Sequence, residues 1–137
     1  MAYWLLKSEP SSWSWDEQVA ASAKGTFWSG VRNHTAKNHL KAMKLGDRAF
    51  FYHSGDEKAV VGVVEVAREY YPDHTDKTGV FGMVDVKAVE PVPKPVTLAA
   101  IKAEPKLKEM ALIKFPRLSV QPVTDEEWRL VRRMGGL

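Results

Sequence analysis

Asp47-Arg48-Ala49-Phe50-Phe51-Tyr52-His53-Ser54 is followed by Gly55-Asp56-Glu57-Lys58 and then by Ala59-Val60-Val61-Gly62-Val63-Val64-Glu65-Val66-Ala67-Arg68-Glu69-Tyr70. This stretch decides the fold. Two runs rich in aromatic and β-branched residues flank a short cluster of turn formers, so Asp47 to Ser54 and Ala59 to Tyr70 are predicted strands joined through residues 54–57 as a hairpin. Val60, Val61, Val63, Val64 and Val66 suit a half-buried pleated surface.

Working outward, the residues before the hairpin read as a helix. Asn33 is a plausible N-cap, Gly46 a stop, and Ala36, Leu40 and Met43 recur at helical spacing as a core face. After the hairpin, Tyr71-Pro72-Asp73 opens a polar loop reaching Gly79. Gly82 to Val89 reads as a further strand, closed by Pro91, Pro93 and Pro95. Tyr3 to Ser8 reads as a buried first strand ended by Glu9-Pro10. Ser14 and Glu17 have capping-box spacing, which predicts a helix from Trp15 to about Ala23, broken by Gly25. Thr97 caps a short helix that Pro105 interrupts, with a further helical turn through Met110. Leu118 to Val123 is the last strand, and Thr124 with Glu127 starts a terminal helix that Gly135 stops. Strands in hairpins with helices inserted early and at the end give an α+β class, best drawn as a small barrel-like sheet with helices over its ends.

The chain has 137 residues, enough for one compact domain with a self-sufficient core. With no cysteine, disulfides, thiolate metal sites and cysteine nucleophiles are excluded, which suits a reducing cytoplasm, the expected location. The N-terminus lacks a basic region followed by a long apolar run, so a cleaved secretion signal is not expected. No apolar stretch approaches the length of a membrane span. A net charge of +3 is compatible with a polyanionic partner without identifying one.

What stands out is aromatic residues set among polar ones: Tyr3-Trp4-Leu5-Leu6-Lys7-Ser8-Glu9-Pro10, Trp28-Ser29-Gly30-Val31-Arg32-Asn33 and Phe51-Tyr52-His53-Ser54. A flat, polar-edged ligand such as a nucleobase needs faces to stack on and an edge to be read. Trp28, after a turn and before a helix, either presents one face to a ligand or plugs the core. Asn33 offers a donor and an acceptor that match a base edge, and is equally an excellent N-cap. Arg32 either meets phosphate or pairs with a carboxylate. Lys37, Lys41 and Lys44 share one helix face that either tracks a nucleic-acid backbone or is merely solvated. Arg129, Arg132 and Arg133 cluster on the terminal helix, where they suit its negative end. Tyr52-His53-Ser54 and Ser8-Glu9-Pro10 each end a strand, and strand ends open onto pocket mouths. Tyr52 either contacts a ligand there or is a sheet residue with its hydroxyl in water, and Glu9 either accepts from a ligand or anchors Arg32 or Arg117.

Catalytic motifs are absent. His34, His39, His53 and His74 show no metal-binding spacing, and there is no nucleophile elbow or phosphate-binding glycine loop. Ser8, Glu9 and His53 form an acid–base set only if the strand ends converge. No metal and no cofactor is expected. A non-catalytic binder of bases leads, with a small enzyme acting on nucleotides or nucleic acid, or a protein-interaction module, as alternatives.

These motifs, followed by Val61-Gly62-Val63 with Tyr71-Pro72-Asp73, Val84-Asp85-Val86, Pro95-Val96-Thr97-Leu98 and Arg117-Leu118-Ser119-Val120-Gln121-Pro122-Val123, closely resemble the EVE domain family in order and over nearly the whole chain. The resemblance implies one EVE domain over residues 1–137 with a PUA-like fold, a β-barrel flanked by helices, related to YTH domains that read methylated adenine in RNA. It implies a reader of a modified base in DNA or RNA, with the base held in an aromatic pocket. Carried over, Trp28 stacks on the base, Val31 and Tyr52 form walls, and Asn33, Ser8 and Ser54 meet its edge. Lys7, Glu9, Arg32, Arg117, Ser119 and Gln121 form or brace the rim. Three departures stand beside this: the short loop from His74 to Val80, Phe81 where many members have Trp, and Ser29 in place of an acidic residue.

Overall fold

The computed structural model describes residues 1–21 and 25–137. The elements run β1 (Tyr3–Ser8), α1 (Trp15–Ala20), β2 (Thr26–Phe27), α2 (His34–Ala42), β3 (Arg48–His53), β4 (Ala59–Pro72), β5 (Gly82–Thr97), α3 (Leu98–Ala103), a 3-10 turn (Pro105–Leu107), α4 (Ala111–Lys114), β6 (Val120–Val123) and α5 (Asp125–Met134). The class is α+β, as expected. The six strands form one sheet in the order β2-β5-β4-β3-β1-β6. All pairings are antiparallel except β1 beside β3. The sheet is not closed by hydrogen bonds: its end strands β2 and β6 are two and four residues long, too short to seal a ring. Pro122 in β6 also lacks a donor.

The hairpin forms as expected, but β3 and the first half of β4 are more than half-buried. Residues 59–64 and 49–53 are buried without interruption. Side chains alternate across a strand, so such a run means that both sheet faces are covered. Trp4, Leu6, Phe51, Val64, Val84 and Val86 pack on one face with Trp15, Trp28, Ala36 and Leu40. Leu5, Phe50, Val60 and Val63 pack on the other with Ile101, Leu107, Leu112, Trp128 and Val131. The sheet thus lies between α1 and α2 on one side and α3, α4 and α5 on the other.

Both capping boxes form as expected, at Ser14 with Glu17 and at Thr124 with Glu127. The last residues expected in α1, Ser22 and Ala23, lie outside the described residues. α2 stops at Ala42 rather than Gly46, because Met43 turns extended and the Lys44 N–H donates to Asp47 Oδ2 at 3.0 Å. β5 does not stop before the prolines but runs through Pro91, Pro93 and Pro95 to Thr97. Residues two apart point their amide positions to a common side, so the three missing donors fall on one edge. A register shift opposite them, between Val60 and Gly62, lets the pairing with β4 resume.

Candidate nucleic-acid interface

At the C-terminal end of β1 a cavity of about 470 Å³ opens, lined by residues 7–9 and 12–13 on one side and 26–30 on the other. Such a volume is ordinary for a small-ligand site. Its two walls come from strands at distant places in the sheet order, β1 and β2, brought to one mouth by the curl of the sheet.

Trp28 forms one wall. Its N–H donates to Val84 O at 2.8 Å, and its ring packs edge-on against Phe51, centroids 5.4 Å apart. The indole is 7% exposed. It serves the core and the cavity together, so the two sequence alternatives are not exclusive.

Trp13 also lines the cavity, and sequence reasoning passed over it. Its Nε1 donates to Gln18 Oε1 at 2.9 Å, and the fully buried Gln18 in turn donates to Val86 O at 3.2 Å. The Glu9 carbonyl accepts from both Ser12 N and Trp13 N at 2.9 Å, closing the turn that carries the ring. The Ser8 hydroxyl donates to the Trp13 carbonyl. A tryptophan among serines, Ser11-Ser12-Trp13-Ser14, was the same signal that singled out Trp28. Phe27, 46% exposed, lies at the mouth edge-on to His74.

The loop bearing Trp28 is braced by Asp73. Its Oδ2 accepts from Gly30 N at 2.9 Å and from Arg32 Nη1 at 3.1 Å, while Oδ1 accepts from Thr75 N and Oγ1 at 2.7 and 2.6 Å. Burial alone would raise this carboxyl, but the hydrogen bonds from Thr75, Gly30 and Arg32 outweigh it and hold it at about 2. Of the two sequence alternatives for Arg32, the carboxylate partner is the one present.

The expected site residues do not all share the cavity. Lys7, Ser8, Glu9 and Trp28 line it. Ser54 lies beside it, with its N–H on the Ser8 carbonyl at 2.9 Å, and Glu9 is pressed against the Ser54-Gly55 turn. Val31 is buried in the adjoining core. Asn33 caps α2, its Oδ1 accepting from Ala36 N at 2.9 Å, and lines a different depression with Arg117. Tyr52 and Gln121 point to the opposite sheet face, because Tyr52 neighbours Phe50 along its strand and Gln121 faces Leu5 across the ladder. Ser119 contributes its carbonyl to Lys7 N at 2.9 Å. The Lys7 ammonium donates to Pro116 O at 2.7 Å, and burial lowers its pKa. Along α2, Lys37 and Lys41 lean over Phe81 and Tyr70, but the three lysines do not share one helix face, because the helix ends at Ala42 and the exposed Lys44 lies beyond the extended Met43.

His53 does not join an acid–base set. Its Nε2 accepts from Trp15 N at 3.0 Å, which fixes the proton on Nδ1, where Glu57 accepts it at 2.7 Å. Both ring nitrogens are therefore occupied within the fold.

The family model described as EVE domain matches residues 2–134. Thymocyte nuclear protein 1 of Gallus gallus is 38% identical over 94% of this chain and 66% of its own length. The chain thus spans about two thirds of that relative. A crystal structure from Agrobacterium tumefaciens superposes with a TM-score of 0.96 at 51% identity, covering 100% of this chain and 94% of the other. Human THYN1 in complex with 5-methylcytosine containing DNA superposes with a TM-score of 0.92 at 34% identity, covering 100% and 99%. A YTH domain of Zygosaccharomyces rouxii in complex with N6-methyladenosine RNA has a TM-score of 0.60 at 16% identity over 99% and 85% of the two chains, a likeness of fold alone.

Proposed function

The chain belongs to the EVE domain family, and from that premise we propose that it is a non-catalytic nucleic-acid-binding module that takes a modified base into the cavity between Trp13 and Trp28. One observation carries this reading. The cavity is lined by two tryptophans together with serine, lysine and glutamate, in a fold that human THYN1, captured with 5-methylcytosine containing DNA, shares over its whole matched length. The indoles supply stacking, worth about 1–3 kcal/mol per base. Ser8, Ser12, Ser29 and the Glu9 carboxylate supply donors and acceptors for the base edge. Lys41, near the end of α2, and Lys44, just beyond it, contact the phosphate backbone. A methyl group that fills an apolar corner adds about 0.8 kcal/mol, so discrimination by contact alone is modest.

The geometry favours binding over turnover because His53, the best-placed general base in the sequence, has both nitrogens engaged. The test is affinity for DNA carrying 5-methylcytosine or cytosine, and for RNA carrying N6-methyladenosine or adenosine, at two salt concentrations. Trp13→Ala lowers affinity for the modified strand about tenfold or more. Trp28→Ala does the same, with its melting temperature recorded because truncating a buried tryptophan costs about 3–5 kcal/mol. Equal affinity of wild type and Trp13→Ala for every strand removes the two-wall model.

A further inference from the structure

A second depression, of about 420 Å³, lies beside the cavity and is lined by Asn33, Thr35 and residues 114–118. The two are linked through lining residues that lie close together. Lys7 lines the cavity while its ammonium is bonded to Pro116 O at 2.7 Å, and Gly30 of the cavity is three residues from Asn33 of the depression. Three residues reach no more than about 10 Å, so the near edges of the two hollows, at Gly30 and Asn33, are no farther apart than that.

The turn that walls the depression is held rigid from beneath. Gln121, fully buried, donates from Nε2 to Phe115 O at 3.1 Å and to Leu118 O at 2.8 Å, and Leu118 N donates to Phe115 O at 3.0 Å. On this fixed turn the Phe115 ring stands 57% exposed. A large apolar ring held in water serves no purpose in the core, and its neighbours are cationic. Arg117 pairs with no carboxylate among the described residues, and Lys114 reaches only Glu109. Among the described residues, no acidic side chain lines the hollow. A ring on a fixed turn, beside the unpaired guanidinium of Arg117, suits a base with its phosphate.

We propose that the turn 114–118 is a second nucleotide subsite, in which Phe115 stacks on the base adjoining the one held between Trp13 and Trp28 and Arg117 meets the intervening phosphate. This rests on the cavity being a base site. Its consequence is that affinity depends on the neighbouring nucleotide as well as on the modified one. It also gives Gln121 a part: it positions the turn from the opposite face of the sheet and touches no ligand.

The experiment compares wild type, Phe115→Ala, Phe115→Trp, Arg117→Gln and Trp13→Ala on a short single-stranded DNA with one central 5-methylcytosine, and on the same strand with abasic residues on both sides of it. Phe115→Ala weakens binding of the intact strand about tenfold and leaves the abasic-flanked strand unchanged, while Phe115→Trp retains affinity. Arg117→Gln weakens both strands and lowers the salt dependence of binding. Phe115 and Arg117 are both exposed, so these variants fold. If Phe115→Ala binds the intact strand as wild type does while Trp13→Ala loses it, the subsite is refuted and the base cavity stands. If wild type binds neither strand, the cavity reading fails and the subsite fails with it.

Discussion

The indole nitrogen of Trp13 donates to Oε1 of Gln18 at 2.9 Å, and Gln18 is wholly buried. An internal amide on α1 therefore sets the orientation of a ring that walls the surface cavity. Gln18→Leu keeps the bulk but leaves the Trp13 indole and the Val86 carbonyl without this partner. We expect a stability loss of about 1–3 kcal/mol by urea denaturation. Affinity for a modified strand falls in the same variant. Unchanged affinity would show that the Trp13 ring needs no anchor.

Asp73 ties the Trp28 loop through charge, which makes the tie pH-dependent. Its carboxyl sits at about 2 in the folded protein against an ordinary 3.8. A depressed value means stability that is complete above about 3.8 and is lost as pH falls towards about 2. The contribution is on the order of 2 kcal/mol. Stability followed from pH 5 to pH 2 should drop more for wild type than for Asp73→Asn, and the Gly30 amide should lose protection against exchange, relative to its intrinsic rate, at the acid end. Parallel acid profiles for the two proteins would remove Asp73 from this role.

Gly62 sits directly under Trp15. A β-carbon there would fall 2.4 Å from the indole ring. Both residues are buried, so the ring has little room to yield. Gly62→Ala is expected to lower the urea midpoint by the equivalent of about 1–3 kcal/mol. Near-ultraviolet circular dichroism should change as Trp15 shifts.

The exposed lysines at and just beyond the end of α2 give a prediction in salt rather than in affinity alone. If Lys41 and Lys44 each neutralise one phosphate, replacing either with Gln lowers the slope of log K against log salt by roughly 1. The loss is the same for modified and unmodified strands. A slope unaffected by both changes makes the face simply solvated.

Much of this architecture was legible in the chain. The hairpin, the two capping boxes and the Thr97 cap depend on residues close in sequence, where local chemistry decides. Reading β5 as ended by prolines failed because tolerance for proline depends on which edge the neighbour occupies, a tertiary fact. The two-sided burial of β3 and β4 was written in the unbroken run Ala49-Phe50-Phe51-Tyr52, although the valines alone suggested only one covered face. Trp28 was legible as a polar-flanked aromatic, and Trp13 carried the same mark. Tyr52 and Asn33 were grouped with Trp28 because they share motifs with wall residues. Sheet parity puts Tyr52 on the far face, and the end of α2 takes the Asn33 amide as its cap.

The ends of the sheet carry one more consequence. β2 has two residues and β6 four, with Pro122 inside β6. Such blunt edges give an incoming strand little to zip onto, so the sheet resists growing into a second molecule and seeding aggregates. A hydrophobic protein interior is thereby kept private, and recognition is left to loops and rings at the strand ends.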